Sequence, residues 1–326
     1  MNNNGEQNTA AAAAAAAADA AAAADAAADA AADTAADTAA RHEIMRKRSR
    51  MRDIWRRLVR NRLSMFGLVI IMVLILAAVF ADFIIPYDYK AQDLKDTFAS
   101  PSAQHIMGTD EFGRDILSRV IYGGRISLLV AITAIAIALV AGGLIGVSAG
   151  FLGGKYDGIL MRLMDVLMAI PGFLLAVCVS AALGTGVINT AIAIAVGCVP
   201  GYARLMRALV LSIRDREYVE AAKVCGEGNF GIMIKEIVPN TLSPIIVETT
   251  LRIGACILMI SSLSFIGLGV KPPEAEWGSM LSAGRQYIRQ YWHMVTFPGL
   301  AIIATLFGFN LFGDGLRDAL DPRLKN

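Results

Sequence analysis

The chain has little of what catalysis usually requires. It carries four cysteines (Cys178, Cys198, Cys225 and Cys256), three histidines (His42, His105 and His293) and 7% aromatic residues in 326 positions. No CxxC spacing occurs. Three of the cysteines sit in apolar runs and one in a polar segment, so they read as apolar filler, not as a disulfide framework or a metal site. The histidines fall in different segments, none in HExxH or another ligand spacing. There is no GxxxxGK[ST] loop to cradle nucleotide phosphates and no GxSxG elbow to raise a serine nucleophile. No catalytic residue and no metal ligand is expected. Charge is also scarce inside the long apolar runs. Ion-coupled transport needs ionisable groups at membrane depth and often an internal repeat, so a self-contained secondary transporter is kept only as the alternative to a pore driven from outside.

What is present is apolar. Hydrophobic residues make up 56% of the chain and the mean hydropathy is +0.55, which points to several membrane spans. Residues 1–40 are nearly all alanine, interrupted by Asp19, Asp25, Asp29, Asp33 and Asp37. With no large side chain to bury, this tail is expected to be disordered or loosely helical, and it lacks the basic start and apolar core of a signal peptide. Residues 41–62 hold ten Lys or Arg among 22 positions. Met51, Ile54, Trp55, Leu58 and Val59 recur there at helical spacing, as in an amphipathic helix on a membrane surface. An apolar run follows at once, which argues against a nucleic-acid-binding arm.

A span needs about 20 apolar residues. Residues 63–326 supply six: Leu63–Ala81, Ile126–Gly154, two from Val166–Ala203 divided at Gly184-Thr185-Gly186, one from about Ser243 to Gly267, and one from about Met294 to Gly313. With the N-terminus in the cytoplasm, 21 of the 30 basic residues fall inside and eight outside, in keeping with the positive-inside rule. Both termini are then expected in the cytoplasm, with 82–120 and the loop around Lys271–His293 outside. The expected class is an all-α, multi-pass membrane protein.

Three features stand out within this frame. Gly142, Gly146, Gly150 and Gly154 recur every four residues and form a smooth stripe for close helix packing. Pro171 and Pro200 interrupt backbone hydrogen bonding inside the third and fourth spans. Glu248 and Arg252 are the exceptional charges within a span, spaced to pair with each other near the cytoplasmic end of the fifth. Between the fourth and fifth spans, within a loop of about 212–240, lies EYVEAAKVCGEG (Glu217–Gly228), followed by IVPN (Ile237–Asn240). Glu220, Ala221 and Ala222, closed by Gly226, describe a short helix with a face that another protein can approach.

This segment resembles the cytoplasmic coupling loop of permease subunits of bacterial ABC importers. Three more stretches narrow the resemblance to the dipeptide/oligopeptide/nickel permease group: GTDEFGRDILSRVIYGGRISL (Gly108–Leu128), SFIGLGVKPPEAEWGSML (Ser264–Leu281) and FNLFGDGLRDALDPRL (Phe309–Leu324). They cover about residues 52–326, and the chain looks most like the second of the two permease subunits. The resemblance implies a type I importer permease fold in the bacterial inner membrane. It implies a homologous permease partner, two ATPase subunits that bind ATP and Mg, and an external substrate-binding protein. No cofactor is expected in this chain itself. Glu220, Ala221 and Ala222 would sit in a groove of an ATPase subunit, Gly226 would break the helix, and Pro239 and Asn240 would set the entry to span five. The cargo implied is di- or oligopeptides, with nickel or another small solute behind. The family often places a basic residue and histidine before Leu-Pro-Asn; here Lys235-Glu236-Ile237-Val238 precede Pro239.

Overall fold

The computed structural model describes residues 52–320. The alanine–aspartate tail, the basic residues up to 51 and the end of the C-terminal motif lie outside the described residues. Residues 52–60 are helical (α1). Asn61 then starts α2 (Arg62–Val79), its Oδ1 accepting from the N–H groups of Leu63 at 3.1 Å and Ser64 at 3.2 Å, as an N-cap should. A short turn, α3 (Ala81–Ile84), leads into a loop and then α4 (Ile116–Leu152). α5 (Gly154–Met168) and α6 (Gly172–Leu183) follow, then α7 (Val187–Ile213), α8 (Glu217–Val224) and α9 (Asn229–Ile232). A π-helical turn (Met233–Ile237) joins α9 to α10 (Val238–Phe265); α11 (Trp277–Gly284) and α12 (His293–Leu320) complete the chain. Among the described residues the fold is helices and loops, with one isolated β-bridge between Thr109 and Asp115.

Among the described residues, five helical stretches are long and apolar enough to cross a membrane: α2, α4, α7, Asn229–Phe265 and α12. The sixth, α5 with α6, is bent by 85°. The expected third span is thus not one rod. Pro171 has no N–H to donate and caps α6 instead of kinking a continuous helix. Pro200, by contrast, lies buried within α7, which runs on through it.

The second span is longer than its charge-free part. It begins at Ile116 because Asp115 caps it, accepting from the Ser118 N–H at 2.8 Å. Its first turns carry Arg119, bonded to the Tyr89 carbonyl at 3.0 Å, and Arg125, paired with Asp82 at 3.0 Å. A limit drawn by charge stops short of such a helix, which continues past the apolar stretch with its arginines satisfied.

The helices pack through small residues. A Cβ on Gly67 of α2 would lie 2.8 Å from the Gly308 carbonyl of α12, and one on Gly313 would lie 2.5 Å from Leu251 of α10. Lipid gives no hydrophobic drive for helices to associate, so close backbone approach supplies the attraction. Ile135, Ile194, Tyr202, Ile257, Ile260 and Leu263 fill the centre. Leu63, Phe66, Val69 and Val73 remain exposed along α2, an apolar outer surface suited to hydrocarbon.

Candidate functional site: the α8 segment and the helices that hold it

The seam between α4 and α7 carries the segment. A Cβ on Gly142 would meet the Val199 carbonyl at 2.6 Å and Tyr202 at 2.7 Å. One on Gly146 would collide with the Ala203 carbonyl and lie 2.7 Å from Met206; one on Gly150 would lie 2.9 Å from Val210. Gly154 does not belong to this stripe. The helix stops at Leu152, Gly153 turns with φ +66°, and Gly154 itself has φ +59° with no atom near its missing Cβ. Two positive-φ glycines end α4 and begin α5, so periodicity alone overextends the stripe by one member.

Arginines of α7 tie down the elements around it. Arg207 grips Asp157 of α5 with two bonds, at 2.5 and 2.6 Å, and Arg204 reaches Asp165 at 2.6 Å. Arg214 donates to the Gly150 carbonyl at 3.1 Å. The two-pronged Arg207–Asp157 fork fixes orientation as well as distance.

α8 sits on this base with two distinct faces. Val219 is fully buried and Ala222 half-buried. Both pack on a cluster formed by Val147, Met206, Val210, Ile232, Ile237 and Ile245. One helical turn around, Tyr218, Ala221 and Val224 are exposed, Val224 at 88%, and the spacing i, i+3, i+6 puts them on one side. Glu217, four residues before Ala221 and seven before Val224, lies within this stripe, and Glu220 stands beside it, both exposed in the first turn. Ala221 and Ala222 therefore do different work: Ala222 seats the helix on its own chain, whereas Ala221 and Glu220 face outward. Phe230, just beyond, is 74% exposed. Tyr218, Val224 and Phe230 are not singled out by the sequence motifs; the available signal is a Tyr and a Val at i and i+6 around the alanine pair, and the structure shows them exposed.

Gly226 closes the helix. Its φ is +82°, its N–H bonds the Lys223 carbonyl at 3.0 Å, and the Glu227 N–H bonds the Ala222 carbonyl at 3.1 Å. These two bonds are the Schellman pattern, with glycine at the left-handed position. Pro239 stands at the start of α10. It cannot donate to Lys235, and the π-helical turn before it shifts the ladder so that Val238 donates to Met233. Asn240 donates its side-chain amide to the Glu236 carbonyl at 2.6 Å. Both residues thus shape the passage into α10 and are themselves exposed.

At the other end of α4, two of the motif stretches meet. Trp277 is buried at 1% exposure, and its indole N–H donates to the Val120 carbonyl at 2.8 Å. Its ring covers Gly123 and Gly124, whose added Cβ atoms would lie 3.2 and 3.0 Å away. Glu276, fully buried, caps α11 by accepting from the N–H groups of Gly278 and Ser279, both at 2.8 Å. Burial pushes its carboxyl above the ordinary glutamate range, against those hydrogen bonds, which pull it down.

Residues 142–326 match the family described as binding-protein-dependent transport system inner membrane component, and residues 49–101 match the N-terminal TM domain of oligopeptide transport permease C. The chain is 42% identical over 285 residues to the di/tripeptide transport system permease protein DppC of Pseudomonas aeruginosa, covering 85% of this chain and 94% of that one. It is 44% identical over 261 residues to a probable D,D-dipeptide transport system permease protein of Escherichia coli K12, covering 80% and 88%. It is 43% identical over 279 residues to a glutathione transport system permease protein of another E. coli strain, covering 85% and 92%. Among solved structures, a chain of the MetNI methionine ABC transporter in inward-facing conformations has the same fold, with a TM-score of 0.51 at 16% identity over 62% of this chain and 97% of that one.

Proposed function

The chain belongs to the family of binding-protein-dependent transport system inner membrane components, and from that premise we propose that it is the membrane-translocating subunit of an ATP-driven importer of di- or oligopeptides. Its partners in this reading are a homologous permease, two ATPase subunits that bind ATP and Mg, and an external binding protein that delivers the cargo. The peptide cargo is supported by relatives named for di- and tripeptides. The α8 end and both termini face the cytoplasm, which the distribution of basic residues supports.

One observation carries the reading: a short helix, anchored by Val219 and Ala222, turns an exposed stripe of Tyr218, Ala221 and Val224 away from its own chain. A stripe of Tyr218, Ala221 and Val224 that carries the carboxylate of Glu217, with Glu220 beside it, fits a groove on a soluble partner. The seat below is stiff, because glycines lock α4 to α7. Movement of the helix would therefore be passed to the spans as rigid-body motion, opening the route alternately to each side. No bond is made or broken in this subunit. The test is to purify the complex through a tag on this chain. The expected result is a co-purifying ATPase stimulated by a di- or tripeptide together with the binding protein; a chain that purifies without any ATPase contradicts the reading.

A further inference from the structure

Sequence spacing puts Glu248 and Arg252 near one end of a span. The helix begins earlier than Ser243, at Val238, and ends at Phe265, so the pair lies 13 to 17 residues from its far end, within the span. Arg252 lies midway along α10 (Val238–Phe265), and its neighbour Tyr202 lies near the middle of α7 (Val187–Ile213). The Arg252 Nε donates to Glu248 Oε1 at 2.7 Å. The guanidinium lies 5.0 Å from the centre of the Tyr202 ring, and the Tyr202 hydroxyl donates to Thr249 Oγ1 at 3.2 Å. A Cβ on Gly201 would come within 3.1 Å of Arg252 Nη2, so the glycine leaves room for the guanidinium.

The pair is not sealed in. The side chains of Glu248 and Arg252 remain 35% and 32% exposed. Among the described residues, Glu248 Oε2 and the Arg252 terminal amines make no further hydrogen bond. Charges left open at this depth are unfavourable against lipid, and such residues characteristically face water-filled cavities. Two openings lie on the same face of α10. Glu248 lines a cavity of about 350 Å³ together with Ser243 and Arg317. Further along, Leu258, Ser262 and Phe265 line a mainly apolar groove of about 430 Å³ with Phe173, Ile302 and Ile303. Ser243, Glu248, Leu258, Ser262 and Phe265 keep one side of the helix; Arg252 borders neither opening and stands one turn beyond Glu248, turned toward Tyr202 of α7.

We propose that Glu248 lines the aqueous translocation route with the half-exposed Arg252 within reach beside it, and that the pair meets the charged termini of a zwitterionic peptide there, Arg252 the carboxylate and Glu248 the ammonium. This rests on the peptide-importer reading above and adds the groups that handle the cargo's charge. Opposite charges side by side match a short zwitterion, and an ion pair with unused donors and acceptors can bind one without first being broken.

The test has two arms in the assembled complex, with the four native cysteines replaced. In the first, Arg252→Cys is exposed to a charged methanethiosulfonate reagent, with Val73→Cys on the outer face of α2 as the lipid-facing control. Labelling at 252 and none at 73 is expected; no labelling at 252 overturns the placement. In the second arm, uptake of trialanine is measured in reconstituted vesicles with the binding protein. Arg252→Gln is expected to slow uptake about tenfold, the scale of one lost charged hydrogen bond, and Glu248→Gln with Arg252→Gln together are expected to remain slow. Were the pair only a structural tie, replacing both charges by neutral groups would restore uptake, and that recovery overturns the proposal. Should the wild-type complex take up no peptide, the importer reading falls on its cargo. Labelling at 252 then still supports the wall placement, and its absence still overturns it.

Discussion

Trp277 lies across Gly124, so close that a Cβ there would stand 3.0 Å from the indole ring. The contact joins the start of α4 to α11, two parts of the chain separated by four membrane-crossing elements. Gly124→Val is expected to expel the ring and lower the thermal stability of the detergent-solubilised complex. Trp277→Phe keeps most of the bulk but loses the 2.8 Å bond to the Val120 carbonyl, at a cost of about 1 kcal/mol. The loss for Gly124→Val should be the larger, since overpacking costs about 1–3 kcal/mol; equal stability of Gly124→Val and wild type would show that the ring is free to move aside.

The α4–α7 seam gives a graded test. Gly146→Leu has to push against the Ala203 backbone and Met206, and should weaken assembly while leaving membrane insertion intact. Gly143→Ala meets only the flexible tip of Met206 at 3.6 Å and should be tolerated. Wild-type stability for Gly146→Leu would mean that the two helices do not rely on this approach.

Gly226 tests the helix end. At φ +82° with open space around it, the penalty of substitution is backbone strain and not collision. Gly226→Asn should be milder than Gly226→Ala, because asparagine tolerates the left-handed region, and Gly226→Val should be the worst of the three. Uptake and ATPase retention rank these variants; a ranking by side-chain size alone would contradict the strain argument.

Orientation is tested by labelling. A cysteine at Glu274, beside Lys90 at the far end of the bundle, should react with an impermeant thiol reagent from outside intact cells. One at Glu227 should react only after permeabilisation. The reverse pattern would put α8 on the wrong side for its partner.

The parts of this molecule legible in the sequence were those set by local chemistry. Charge-free runs located the spans, a glycine four residues beyond an alanine pair located the end of α8, and glycine periodicity located the seam. Boundaries were less legible where charges are satisfied by distant partners. Arg119 and Arg125 extend α4 beyond its apolar stretch because the Tyr89 carbonyl and Asp82 receive them. The break at Pro171 and the two positive-φ residues Gly153 and Gly154 are tertiary choices that periodicity does not encode. Nor did the spacing of Ala221 and Ala222 tell which one faces its own chain, since that depends on Ile232 and Ile237 arriving beneath the helix.

In the proposed importer, α8 transmits force through its outward stripe. Ala221→Trp places bulk on that stripe without touching the buried anchors Val219 and Ala222. The decisive measurement is peptide uptake by reconstituted vesicles carrying Ala221→Trp, with the amount of ATPase that co-purifies on the tagged chain. Loss of uptake is expected, through lost ATPase or ATP hydrolysis without transport, in a chain that inserts and solubilises as wild type does. Normal uptake with normal ATPase retention would contradict that role for the stripe.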